Sequence, residues 1–349
     1  MTERARETDQ AAEPGLTNVD LAGGVYSSQA EPRADIGMPT NFSVGADSAA
    51  LAYESGLELK ARSQWGYVWR RFIRHRLAMT SAVVLVLTIL AAVFAGHLTS
   101  YSYTEIDITT PGAILHGPTT KGHHLFGTDF IGRDYLTRVL FGVRTSVRVA
   151  FLVALISTAL GTAIGAIAGY FGSWIDNLLM RFTDLVLTLP LLAVLLVASN
   201  KFGSGNQYHV ALILALLFWT GIARVVRGVF LSLREKEYVE AAKAAGAGDL
   251  RIIFRHILPN TMGPIIVNMT LTVAGAILIE AALSFLGFGI KPPTPALGSL
   301  ISEGQNEMQT AWWLVVFPGV AIMVLVLCIN FIGDGLRDAL DPTQRRVRA

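Results

Sequence analysis

The chain has 349 residues, of which 52% are hydrophobic and only 15% charged, and its formal net charge is +2. With a mean hydropathy of +0.49, that balance excludes a soluble globular chain of this length and points to a polytopic membrane protein, while the near-neutral charge offers nothing to a nucleic acid. The single Cys328, inside an apolar run, excludes both a disulfide framework and a cysteine metal site within one chain.

Residues 1–56 are rich in Ala, Gly, Ser, Pro and acidic residues without a sustained apolar period, the composition of a disordered cytoplasmic tail. They hold no signal-peptide core. Residues 57–76 end in WGYVWRRFIRHR, where Trp65, Tyr67, Trp69 and Phe72 are interleaved with Arg70, Arg71, Arg74 and Arg76. This predicts an interfacial amphipathic helix on the cytoplasmic face.

Six apolar stretches follow, near 77–98, 147–172, 178–199, 208–230, 262–288 and 311–333, each close to the ~20 residues that cross a bilayer. The expected fold is all-α with six transmembrane helices: a first span at 77–98, an extracytoplasmic segment over 99–146, and a permease-like core over 147–342. An even number of spans places both termini in the cytoplasm, including the tail 343–349, and Arg337, Arg345, Arg346 and Arg348 fit that side. The loop 232–260 after the fourth span bears Arg234, Lys236, Lys243, Arg251 and Arg255 and is cytoplasmic by the same rule. The outer segment departs from it with Lys121, Arg133, Arg138 and Arg144, and is long enough for an amphipathic helix on the outer surface.

Within the second span, Gly161, Gly165 and Gly169 recur every fourth residue, a smooth groove for close helix packing. Glu280 lies about two turns from the outer end of the fifth span, where exposure to lipid would be costly. It is read either as a hydrogen-bonded acid buried between helices or as a passage-lining group, so Glu280 and Ser284 are candidates for a translocation path or an interface. It is also the only acidic residue placed well inside a span. His116, His123 and His124 cluster in the outer segment; beside Gly and Pro they are read as solvated rather than metal-binding. The absence of a Gly-Lys dipeptide removes the phosphate-binding loop of nucleotide hydrolases, and neither HExxH nor GxSxG occurs. No catalytic residue, metal or cofactor is expected.

The loop 232–260 contains YVEAAKAAGAGDLRIIFRHILPN. Tyr238 to Ala245 is an Ala-rich helix former that Gly246 ends in a left-handed cap. Asp249 is expected to cap a second short helix with Leu250, Ile252, Ile253, Phe254 and Ile257 on an apolar side, stopped at Pro259, which has no N–H. Glu240-Ala241-Ala242, Gly246 and Leu258-Pro259 resemble the cytoplasmic EAA loop by which membrane subunits of ATP-binding-cassette importers grip their ATPases. The segments HLFGTDFIGRDYLTRVLFGVRTS, FWTGIARVVRGVFLSLREKEYVEAAKAAGA, IEAALSFLGFGIKPPTP and FPGVAIMVLVLCINFIGDGLRDALDP are similar to further blocks of the C-type permease subunits of dipeptide, oligopeptide and nickel importers, and together cover most of residues 65–342. Leu297 stands where that branch often has Trp.

The resemblance implies a type I importer permease fold in a bacterial inner (plasma) membrane. It implies ATPase coupling through Tyr238, Glu240, Ala241, Ala242, Gly246, Leu258 and Pro259; Asp129, Arg133 and Asp134 are read either as an outer gate or docking element or as part of a purely structural amphipathic helix. The implied partners are a second, homologous permease, two cytoplasmic ATPases and an extracytoplasmic solute-binding protein, with the lipid bilayer around them and no nucleic acid. The implied substrate is a dipeptide or oligopeptide, with nickel or another small solute as the alternative. An ion-coupled secondary transporter would show more intramembrane charge and inverted repeats, and an intramembrane enzyme would need paired catalytic groups; neither is visible.

Overall fold

The computed structural model describes residues 64–340, apart from 109–111, 113, 121–123 and 203–204. The expected tails 1–56 and 343–349, the start of the expected interfacial helix, and Lys121 and His123 lie outside the described residues. Among the described residues the architecture is helical, with two isolated β-bridges, Thr128 to Asp134 and Gly205 to Ile290. Five helices are long and apolar enough to cross a membrane, or six if a bent pair counts as one span.

Helix α1 (Gln64–Arg74) turns Phe72 inward and leaves Trp69 outside. Helix α2 (Arg76–Val93) starts where the His75 ring accepts the Ala78 N–H at 3.1 Å. It ends short of the expected 98, and a separate turn, α3 (Ala95–Leu98), follows. Helix α4 (Tyr135–Phe171) begins well before the expected 147, because Asp134 accepts the Thr137 N–H at 2.8 Å and caps it there. The last part of the outer segment is therefore the first turns of α4. No amphipathic surface helix forms among the described residues of that segment.

The expected third span is two helices, α5 (Ser173–Thr188) and α6 (Leu191–Phe202), bent by 85°. Pro190 disfavours helical geometry in the residue before it, and Leu189 is extended at ψ 135°. Helix α7 (Gln207–Arg234) is the fourth span and α8 (Glu237–Ala244) the first helix of the EAA loop. The fifth span departs from expectation at its start. One turn, α9 (Asp249–Arg251), passes through a π turn (Ile252–Ile257) into α10 (Leu258–Phe285) without a stop. Pro259 is accommodated because it falls at the first turn of α10, directly after the wide turn, whose last N–H, that of Leu258, reaches back to Ile253. A short α11 (Leu297–Gly304) precedes α12 (Trp313–Leu340).

In lipid the hydrophobic effect does not draw helices together, so close contact and internal polar bonds must. The glycine groove of α4 supplies that contact against α7. A methyl group on Gly161 would lie 2.6 Å from the Trp219 carbonyl oxygen, and one on Gly169 would lie 2.6 Å from Phe230 Cβ. At the same end α1 and the start of α2 dock on α12: Phe72 of α1 and Ala78 of α2 lie over Gly335, and the imidazole of His75, between them, is 3.7 Å from the Asp338 carboxylate.

Candidate functional site

The EAA loop is rooted on one side and bare on the other. Val239, Ile252 and Ile257 are fully buried in a cluster with Phe230 of α7 and Tyr170 of α4. Gly246 sits at φ +81° and donates its N–H to the Lys243 carbonyl, while the Ala247 N–H reaches Ala242, which closes α8 as its sequence predicts. Glu240, Ala241 and Gly246 are exposed and Ala242 is half-buried. Leu250 and Phe254, expected on the same apolar side as Ile252 and Ile253, instead point outward at 71% and 63% exposure, and Tyr238 is 41% exposed. The π turn rotates them away from the buried isoleucines. Leu258 is half-buried and Pro259 exposed.

Asp249 does not cap the second helix. Gly248 is the capping residue, and the Asp249 carboxylate instead accepts the Tyr170 hydroxyl at 2.6 Å. The Lys243 ammonium lies 6.0 Å from the centre of the Tyr170 ring, and Arg234 donates to the Tyr170 carbonyl at 3.2 Å. The ends of α4 and α7 and both arms of the loop are thus fastened at one tyrosine.

At the opposite end of α4, Asp129 is 1% exposed. It accepts the backbone N–H groups of Ile131 and Arg133, the Arg133 Nε at 2.6 Å and the Arg138 Nη1 at 2.7 Å. Arg138 also reaches Glu303 of α11 at 2.9 Å. Asp134, 2% exposed, caps α4 and meets His124 Nδ1 at 2.9 Å. Asp129 and Asp134, expected at an outer gate or docking surface, therefore present no carboxylate to a partner; with Arg133 they fasten the outer segment to α4 and α11. His124, expected in solvent, is 1% exposed, with Nε2 3.1 Å from Asp107, because the segment folds back over the start of α4. Tyr101 stacks on its ring at 4.7 Å. Burial and the nearby carboxylates of Asp107, Asp134 and Glu105 raise the Tyr101 pKa. His116 is exposed, and no group of three metal-ligating side chains forms among the described residues.

Glu280 has no exposure at all. Its carboxyl accepts Ser146 Oγ of α4 at 2.8 Å and Ser284 Oγ at 2.7 Å, and Ser284 accepts the Ile290 N–H at 3.2 Å. Gly298 of α11 closes the site, since a methyl group there would lie 2.7 Å from the Ala281 carbonyl carbon. Of the two readings of Glu280, this geometry is the buried, hydrogen-bonded one. Nor is it alone as an acid inside the spans. Asp176 and Asp184 of α5 pair with Arg227 and Arg224 of α7, residues that sequence reasoning passed over although Asp184 and both arginines fall in consecutive predicted spans.

These features define a class: a helical, multi-pass membrane protein with five helices long and apolar enough to cross a bilayer, or six with the bent pair, and a buried-rooted hairpin whose outer face is exposed. The chain belongs to the family of binding-protein-dependent transport system inner membrane components, which it matches over residues 161–346, and residues 63–118 match the N-terminal TM domain of oligopeptide transport permease C. It is 44% identical to the dipeptide transport system permease protein DppC of Alkalihalophilus pseudofirmus, over 82% of this chain and 92% of that one. Against the oligopeptide transport system permease protein OppC it is 39% identical in Escherichia coli, covering 84% of this chain and 96% of the relative. The corresponding values in Mycobacterium tuberculosis are 41%, 80% and 95%.

Proposed function

We propose that the chain is a permease subunit of an ATP-driven importer of dipeptides or oligopeptides. A second, homologous permease completes the translocation path, two ATPases bind on the cytoplasmic side, and a binding protein delivers the peptide from outside. The peptide substrate is supported by the names of the relatives. The coupling role is carried by one observation: a helical hairpin with a fully buried root and an outer face of Tyr238, Glu240, Ala241, Leu250 and Phe254. Large apolar side chains so exposed at the end of a bundle mark a surface meant to be covered, and the small residues of α8 let a partner's cleft approach its backbone. Closure of the ATPases on ATP moves the hairpin and, through it, rocks the spans between inward-open and outward-open forms.

The test is co-purification of the ATPases together with peptide uptake. Gly246→Asp, and separately the double change Glu240→Ala with Ala241→Glu, are expected to lower one or both by more than about tenfold, a loss of at least ~1.4 kcal/mol in coupling. Wild-type association and uptake in both variants would end the coupling assignment.

A further inference from the structure

Two ion pairs join α5 to α7, and the deeper one has no place in lipid. Near the EAA-loop end, Asp176 takes both Nε and Nη2 of Arg227 and is largely enclosed. Farther in, the Asp184 carboxylate bonds Arg224 Nη2, yet the two side chains remain 47% and 52% exposed on the chain.

Their depth is fixed from two directions. Counting along α5 from Ser173, and back along α7 from Arg234, each side chain lies about 15 Å from the loop end at ~1.5 Å per residue. A hydrocarbon layer is only about 30 Å thick, so the pair lies well inside it. An arginine alone could reach back to the headgroups on its long stem. Asp184 has a single methylene and holds Arg224 in place. Around them the wall is apolar: Phe182 stacks on Trp219 at 6.0 Å, and Leu185 is 59% exposed. A half-exposed ion pair at this depth must face water or protein, since lipid solvates neither charge.

We propose that Asp184 and Arg224 face the translocation passage and contact the charged termini of the transported peptide, the carboxylate meeting its ammonium group and the guanidinium its carboxylate. The ligand rests on the peptide-importer reading above; the placement in the passage rests on depth, charge and exposure.

The experiment uses the assembled complex in proteoliposomes with trialanine as the probe and Cys328→Ala as the background. Asp184→Cys is expected to react with a small, charged, membrane-impermeant thiol reagent, and the rate is expected to fall at least fivefold when the binding protein and trialanine are supplied. The charge-swapped variant, Asp184→Arg with Arg224→Asp, retains an ion pair, so a purely structural pair would recover wild-type uptake. A peptide contact would not: maximal uptake is expected to stay at least tenfold down, with half-saturation, set by the binding protein, unchanged. Reaction only with a lipid-soluble maleimide, labelling indifferent to trialanine, or full recovery in the swapped variant would each overturn the proposal. If the wild-type complex takes up neither dialanine, trialanine nor a longer alanine peptide, the peptide reading fails instead, while accessibility at position 184 still decides whether the pair faces the passage.

Discussion

Glu280 illustrates how a carboxyl is tolerated inside a membrane helix bundle: two serine hydroxyls donate to it, and a glycine lets a neighbouring helix cover it. Removing the carboxyl strands both hydroxyls and leaves a void. Glu280→Ala is expected to cost about 1–3 kcal/mol for the unsatisfied groups, with a cavity penalty added, whereas Glu280→Gln retains an acceptor and the volume. Thermal inactivation in detergent checks this: the midpoint of the Ala variant should fall by several degrees below that of the Gln variant. Equal midpoints would mean that the hydroxyls find other partners. The sequence made Glu280 conspicuous because one acid stands in an apolar run, but nothing marked Ser146, 134 residues earlier, as its donor. The same limit explains His124. Its surroundings in sequence are those of a solvated loop, and only the fold-back brings Asp107 and Asp134 to its two ring nitrogens.

Among the elements, apolar length marked the five helices long enough to cross a membrane but not the bend in the third stretch, while the two proline-dependent breaks went opposite ways. Pro190 interrupts an apolar stretch that reads as one helix, because proline disfavours helical geometry in the residue before it and Leu189 is extended; Pro259, expected to stop a helix, follows a π turn that already leaves room for its ring. Hydrogen-bond phase is invisible in composition. The root of the EAA loop was equally hidden, since Tyr170 belongs to a different span. If the Tyr170–Asp249 bond transmits movement from the loop to α4, Tyr170→Phe and Asp249→Ala should each reduce peptide taken up per ATP by about tenfold or more while ATPase association holds, in line with the ~1.5–3 kcal/mol of a hydrogen bond to a charged group. The double variant should be no worse than the poorer single one, because both remove the same contact. Losses that multiply in proteoliposome assays would place the link elsewhere.

For the whole molecule, the folded arrangement bears on which way the chain lies in the membrane. Residue pairs tie α1 to the C-terminal part of α12, so the described chain enters and leaves the bundle at one end. A second set, Tyr170 with Asp249 and Arg234 with Tyr170, marks the end shared by α4, α7 and the EAA loop. With the bent pair α5–α6 counted as one crossing, six crossings bring both sets to the same side, where Arg70, Arg71, Arg74, Arg234, Lys236, Lys243, Arg251, Arg255 and Arg337 also gather. Two of the four basic residues of the other side that depart from the charge rule, Arg133 and Arg138, are paired with Asp129 and Glu303. By the positive-inside rule the loop, α1 and the C-terminal part of α12 are expected on the cytoplasmic side. Green fluorescent protein fused after Ala349, or inserted beside Gly246, is expected to fluoresce, and alkaline phosphatase fused after Gly117 to be active, since the first folds only in the cytoplasm when secreted unfolded and the second needs an oxidising exterior for its disulfides. An active phosphatase at the loop and a silent one at Gly117 would invert the whole assignment, and with it the side on which an ATPase could dock.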